Sequence, residues 1–353
     1  MGEMKSYRIT AYGEALAEMD DPTPQPAGRE AVVRITGCGV CHSDLHIWDG
    51  HFDMGGGNKM DLSRAHKLPL TLGHEIVGVV ESLGPEAGGV AVGDSVIVYP
   101  WIGCGDCNFC NNEEDHYCAR PRALGVNLDG GYADHVFVPD AKFLFPMGDL
   151  PSELACTYAC SGLTAYSALK KVEGRAKGAS VLLVGAGGVG FQGLTIAKAI
   201  FPDTKIIVAD IDQSKLDAAL AAGADMAVNP ADPGARKELL KATGGGPQGA
   251  VDFVGSDKSL AFATGVIGAG GAIAVVGLFG GAMPMSVPLF PLKRITICGS
   301  YVGSPQEMRD LMELVVSGQV APLPVATRPL AEANQTLNDL RDGKIVGRVV
   351  LTP

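Results

Sequence analysis

Charge is scarce in this chain, and basic charge scarcest: 19% of the 353 residues are Asp, Glu, Lys or Arg, with 39 acids against 28 bases. A formal net charge of -11 argues against nucleic acid or an anionic membrane as partner, since both demand a basic footprint. Internal repeats, heptads and low-complexity segments are lacking. The opening Met1-Gly2-Glu3-Met4-Lys5-Ser6 lacks the charged and apolar regions of a signal peptide, so the expectation is a cytoplasmic protein. From Ser259 to Leu292 there is no Asp, Glu, Lys or Arg. A membrane span needs about 20 apolar residues, but Gly265, Gly268, Gly270, Gly271, Gly277, Gly280 and Gly281, then Pro284, Pro288 and Pro291, break any such helix. Buried strands joined by turns, with some surface given to a subunit contact, are expected there instead.

What is present describes a well-buried globular chain: 46% hydrophobic residues, 48 glycines for turns and close backbone approaches, and a length that calls for two domains, because single cores stop growing at roughly 250–300 residues. Residues up to about 155 carry short β-type runs (6–10, 31–36, 75–83, 94–99 and 132–138) separated by Gly and Pro, which predicts a β-rich, barrel-like domain. Between Gly50 and Pro69 the polar, Gly-rich segment reads as a loop. From about residue 157 the texture changes. Ser180-Val181-Leu182-Leu183-Val184 is the continuous apolar run of a strand buried on both faces, and strands then alternate with helical segments. That alternation predicts a doubly wound α/β domain.

Nine cysteines in such a chain read as reduced thiols, whose spacing signals metal chemistry before disulfides. Cys104, Cys107, Cys110 and Cys118 are spaced for one tetrahedral, closed structural zinc; iron–sulfur ligation uses the same donor set. The ten residues Gly37 to His46 hold two thiols, two imidazoles, a hydroxyl and a carboxylate at the end of an apolar strand, and this density suggests a site. Cys38 and Cys41 form Cys-x-x-Cys, but Cys38, Cys156 and Cys298 read as packing. Gly185-Ala186-Gly187-Gly188-Val189-Gly190 contains G-x-G-x-x-G between a strand and a helix, the context that lets the backbone approach a pyrophosphate at a helix N-terminus. Asp210 lies twenty residues beyond Gly190, placed to accept from the adenosine ribose hydroxyls and to repel a 2′-phosphate. NAD is therefore the expected cofactor.

Five motifs in order now carry a resemblance: Gly-Val-Cys-His-Ser-Asp-Leu-His (39 to 46), Gly-His-Glu (73 to 75), the four-cysteine lobe, Cys-Ser-Gly-Leu-Thr-Ala-Tyr (160 to 166) and the glycine turn. The chain resembles the zinc-dependent alcohol dehydrogenases of the medium-chain dehydrogenase/reductase family. The resemblance implies a GroES-like catalytic domain at 1–156 and 292–353, discontinuous because the chain returns to it, around a Rossmann domain at 157–291. It implies a catalytic zinc on Cys41, His74 and Cys160, with Glu75 a possible fourth ligand and Asp44 orienting the ligands, hence two zinc ions per chain. Two thiolates cancel the metal's charge yet leave it Lewis-acidic enough to lower the pKa of an alcohol. Ser43 would contact the alcohol oxygen, and a relay through the nicotinamide ribose would end at a surface His46. His42 and Arg348 match pyrophosphate positions, and Lys215 one near the ribose. Trp48, Trp101 and Phe52 are pocket candidates that suit an apolar alcohol. The implied reaction interconverts alcohols with aldehydes or ketones, in a homotetramer. A polyol or sugar dehydrogenase and a non-catalytic zinc- and NAD-binding sensor remain as alternatives.

Overall fold

The structure, a computed structural model, describes residues 2–345 and 347–353. Val- and Ile-rich segments in the first 150 residues form strands because β-branched side chains pack well on a pleated surface. Ala31–Gly39 is the spine of the larger sheet. It pairs antiparallel with Glu75–Leu83, with register shifts at Val32/Val33 and Ile35/Gly37, and also with His135–Val138. Ser95–Val98 and Leu144–Pro146 extend that sheet on one side. On the other side lie Arg348–Thr352 and then Val325–Pro329, so the chain's last strands return to its first domain. Glu3–Ile9, Ala17–Pro22 and Leu70–Thr71 make a separate three-stranded sheet.

The expected loop at 50–69 is corrected by the structure. His51–Gly55 and Asn58–Asp61 form a two-stranded hairpin, and Gly55, Gly56 and Gly57 all take positive φ at its turn. The glycines that looked like loop composition are the residues a tight reversal requires.

The second domain is a six-stranded parallel sheet. Numbering its strands in chain order from Ser180–Val184 to Thr296–Gly299, their order across the sheet is 3-2-1-4-5-6, the doubly wound arrangement whose strand order reverses beside the first strand. Its last strand pairs with Ala272–Val275, so the expected boundary at 292 falls short and the domain runs through Gly299. The turn-rich, uncharged stretch before it resembles a domain exit, yet the chain comes back to the sheet edge. That stretch also carries more helix than expected, since Asp257–Val266 is helical, capped by Ser256. No helix among the described residues is long and apolar enough to cross a membrane.

Helix Ser161–Ala176 joins the two domains. Eleven of its sixteen residues are buried, and it packs on helix Gly188–Ile200, on the parallel sheet and on helix Pro305–Val316. One continuous apolar core therefore runs from Met4 to Leu351 through both domains, and a second fills the far face of the parallel sheet. Burying the joining helix fixes the position of its first residues, where Cys160 sits.

Candidate active site

Strand Ala31–Gly39 leads through Val40 to Cys41, which caps helix His42–Asp49. The Cys41 amide donates to Asp44 Oδ2 at 2.9 Å, a capping box that locks the thiol's backbone. His74 and Glu75 enter from the neighbouring strand, where Glu75 faces Gly39 in register. A side chain at 39 would stand 2.1 Å from Glu75 Oε2, so only glycine leaves room for the carboxylate. Cys160 arrives at the N-terminus of the joining helix. Ligand atoms of Cys41, His74, Glu75 and Cys160 all lie within 4.8 Å of one another, and all four residues are buried.

Unsatisfied atoms show what this cluster is for. His74 Nε2 and Glu75 Oε1 are buried without a hydrogen-bond partner. Buried polar atoms are rarely left so, and two of them aimed into a nest of thiols fit a metal ion. Two soft thiolates, an imidazole and one oxygen suit zinc. Asp44 holds the group together: its Oδ1 faces His74 Nδ1 at 3.2 Å, and its Oδ2 accepts from the Tyr132 hydroxyl at 3.0 Å. A carboxylate behind the imidazole sets the tautomer that leaves Nε2 free to ligate. Sequence reasoning missed Tyr132, which lies far from the motif and carries no local signal.

Protons are shared within the cluster. The Cys160 hydrogen bond holds the Cys41 thiol well below its ordinary range, while Cys160 itself is raised by the same contact and by burial. Burial disfavours the His74 cation, but Asp44 and Cys41 outweigh it and hold the imidazole above its usual value. Burial also pushes the Glu75 carboxyl up to about 7 against the pull of Arg348. Glu75 Oε2 accepts from the buried Arg348 guanidinium.

Arg348 also lies beneath the glycine turn, where a side chain at Gly188 would meet its Cδ at 2.8 Å. It therefore joins the metal cluster to the turn as an ion-pair partner, a role its expected pyrophosphate contact did not include. Gly185 takes φ +94°, and a Cβ at Gly190 would fall 1.8 Å from the Gly185 carbonyl, so the turn needs glycine at both. A Cβ at Gly187 would meet nothing within 4 Å, so the face above the turn is open. Val189 follows in the first turn of helix Gly188–Ile200, whose amides face that space. Asp210 accepts from the amides of Ala186 at 2.7 Å and Asp212 at 3.0 Å, tying the turn to the second parallel strand. Lys215 is exposed on the next helix, Gln213–Ala221.

His42 is exposed and Ser43 partly buried on the first turn after Cys41. His46 is half-buried rather than fully at the surface. Its ring packs 4.9 Å from that of Phe52, and burial with the nearby His42 lowers its pKa. Trp101 lies 5.3 Å from the His74 ring and donates its indole N–H to the Ala159 carbonyl at 3.1 Å. Trp48 corrects the sequence reading. It is 3% exposed, bonded to the Glu14 carbonyl and covered by Arg341, so it belongs to the core and not to a pocket.

A cleft of about 420 Å³ opens between the hairpin and the parallel sheet, lined by Phe52, Asp53, Met54 and Met60 on one side and by Leu278 and Tyr301 on the other. Of the expected pocket residues only Phe52 lines it; Met54, Met60, Leu278 and Tyr301 were missed. Tyr301 had one available signal, its place just past the C-terminal end of a parallel strand, where ligands of such sheets bind.

The four cysteines of the lobe also converge. Their sulfurs stand 3.5 Å (Cys107–Cys110), 3.8 Å (Cys107–Cys118) and 3.9 Å (Cys104–Cys110) apart. A tetrahedron with Zn–S bonds of about 2.3 Å has edges of about 3.8 Å, so the donor set fits zinc. The amides of Cys104 and Arg120 each donate to Cys118 Sγ at 3.3 Å. None of the nine cysteines is in a disulfide.

A doubly wound domain with a glycine turn, set against a buried thiolate–imidazole cluster, defines a zinc-binding dehydrogenase. Residues 27–149 match the alcohol dehydrogenase GroES-like domain and residues 188–317 the zinc-binding dehydrogenase domain. The chain is 37% identical over 351 residues to the NAD-dependent alcohol dehydrogenase of Sulfurisphaera tokodaii, covering 99% of this chain and 100% of that one. It is 28% identical over 357 residues to the NADP-linked D-arabinose 1-dehydrogenase of Saccharolobus solfataricus, covering 100% and 99% of the two chains. The crystal structure of the Aeropyrum pernix alcohol dehydrogenase superimposes with a TM-score of 0.87 at 32% identity, covering 99% and 100% of the two chains. The chain belongs to the zinc-dependent alcohol dehydrogenases of the medium-chain dehydrogenase/reductase family.

Proposed function

We propose that this enzyme oxidises an apolar alcohol to its aldehyde or ketone with NAD, and runs the reverse reaction, at Cys41, His74 and Cys160. The observation that carries this reading is the buried cluster with two orphaned donor atoms beside the glycine turn. Bound zinc supplies a Lewis acid for the alcohol oxygen, and NAD a hydride acceptor. Cys41, His74 and Cys160 hold the metal, and Glu75, with its free Oε1, stands by as a fourth donor while Arg348 anchors its other oxygen. Asp44 and Tyr132 keep His74 in its ligating tautomer. Ser43 Oγ receives the alcohol proton and His46, half-buried and shifted toward its neutral form, accepts it for release to solvent. Burial of the cluster keeps bulk water from competing with the substrate.

Asp210 favours NAD by meeting ribose hydroxyls with a carboxylate, and Lys215 and His42 flank the cofactor's charged parts. The lobe holds a second, structural zinc, making two per chain. Apolar cleft walls favour simple alcohols over the sugar of the D-arabinose relative. The protein works in the cytoplasm as a homotetramer. Supporting that assembly, strand Thr296–Gly299 is a sheet edge, and Phe279, Val287 and Leu292 before it are exposed.

The test is NADH formation by zinc-loaded enzyme across primary, secondary, cyclic and benzylic alcohols, with zinc counted per chain. Two zinc ions and turnover are expected; bound zinc and NAD without turnover of any alcohol would favour the sensor alternative.

A further inference from the structure

The hairpin at 51–61 has a pattern that its own stability does not explain. Phe52 and Met54 alternate on one face, and Met60 is the cross-strand partner of Phe52. Asp53 pairs with Lys59, and at the edge of the cleft its carboxylate accepts from the Gly55 amide at 2.8 Å. Two strands have no core of their own, so an apolar face on so small a sheet needs something to cover it. Met54 and Met60 are nevertheless 55% and 46% exposed, and Leu278 and Tyr301 across the cleft are 44% and 52% exposed. Four large apolar side chains thus face one another across a gap sized for a small molecule.

The gap leads to the chemistry. Tyr301 meets Trp101 edge-on at 5.6 Å, and Trp101 meets His74. Phe52 meets His46. The width of the gap is fixed at the hairpin tip, where a Cβ on Gly55 would stand 2.3 Å from the Gly281 carbonyl carbon. Gly280 is in turn bridged to Ser256 within the second domain, so the hairpin tip rests against a braced segment of backbone.

We infer that the hairpin's apolar face, with Leu278 and Tyr301 opposite, is the specificity-determining slot of this enzyme. It selects alcohols carrying a flat aryl or extended apolar substituent, with Gly55 setting the slot's width. This rests on the alcohol dehydrogenase reading. A two-carbon alcohol held at the metal cluster leaves the hairpin's methionines in water, whereas a longer one covers them. Each methylene buried is worth a factor of about four. Methionine adapts to varied shapes and makes favourable contacts with rings, which suits a slot for aryl groups.

The experiment compares kcat/KM for ethanol, 1-hexanol and benzyl alcohol in wild type, the Met54→Ser/Met60→Ser double variant, Tyr301→Ala and Gly55→Val. Wild type should favour 1-hexanol and benzyl alcohol over ethanol by on the order of a hundred-fold, four extra methylenes at about four-fold each. The double variant and Tyr301→Ala should each cut those ratios at least about ten-fold by removing the wall. Gly55→Val should cut them with every wall residue in place, because it displaces the hairpin. Equal efficiency on ethanol and the larger alcohols in wild type, or ratios unmoved in all three variants, would overturn the inference while leaving the dehydrogenase intact. Absence of turnover on all alcohols would overturn both.

Discussion

The chain gathers two sets of metal-ligating side chains that differ in how their fourth donor is committed. In the lobe all four donors are cysteine, and two backbone amides donate to Cys118. In the interior cluster one of the four donors is a carboxylate, and Glu75 shares it with Arg348. A carboxylate already paired with a buried arginine can give way to a substrate, and the four-thiol donor set of the lobe contains no such carboxylate. The lobe's donor set therefore fits a closed, structural zinc, whereas the interior donor set fits a metal that opens a coordination position.

The sharpest way to break this comparison is to remove one thiol from each cluster. Cys41→Ala should lower turnover by at least about a thousand-fold while the far-UV spectrum and the lobe zinc persist, since an interior ligand lost leaves the lobe untouched. Retained turnover in a variant that still binds only the lobe zinc would contradict the assignment. Cys107→Ser should instead cost on the order of 2–4 kcal/mol of stability, read as a fall in Tm together with loss of one zinc per chain. An unshifted Tm after that zinc is lost would mean that the lobe folds without its metal.

The supporting groups come next in size. Asp44→Asn keeps the shape but weakens the acceptor behind His74, and zinc affinity or activity should fall roughly 10–100-fold. Tyr132→Phe removes one of Asp44's donors and should do less. If Asp44→Asn left zinc affinity unchanged, the carboxylate would be only a helix cap. Asp210→Gly should reduce the preference for NAD over NADP by about ten-fold or more. Because Asp210 also ties the glycine turn through Ala186, NAD affinity should drop as well. A preserved NAD/NADP ratio would place cofactor choice elsewhere.

Much of this was readable from the chain because the chemistry is local. Cys41 caps the helix that carries Ser43, Asp44 and His46, and the glycine turn sits between a buried strand and its helix, so local density marks both as candidate sites while the family resemblance supplies the roles. What spacing could not give is contact between distant segments. Arg348 and Glu75 are 273 positions apart, and nothing in either motif announces their ion pair. Gly55, Gly56 and Gly57 looked like a loop because composition does not distinguish a flexible glycine from one that turns a hairpin. Trp48 looked like a pocket residue because an aromatic beside a motif reads the same whether it faces ligand or core; Glu14 and Arg341, both distant in sequence, decide it. The boundary at 292 stops short of the edge strand at 296–299 because pairing with Ala272–Val275, which composition does not show, sets where the sheet ends.

The smallest expected effect concerns His46 and concerns pH. Burial lowers its pKa, with His42 adding to the shift, so the imidazole stays neutral to a lower pH than an exposed histidine. Neutral imidazole accepts a proton and imidazolium does not. Below the lowered pKa both wild type and His46→Gln lack an acceptor, and their rates should converge. At strongly alkaline pH hydroxide takes the proton directly and they should converge again. The loss, several-fold, should therefore be confined to the window between, and imidazole added to the buffer should restore part of it. A rate ratio that is flat across pH and unmoved by imidazole would show that the ring only packs against Phe52, and that the proton leaves the site by another route.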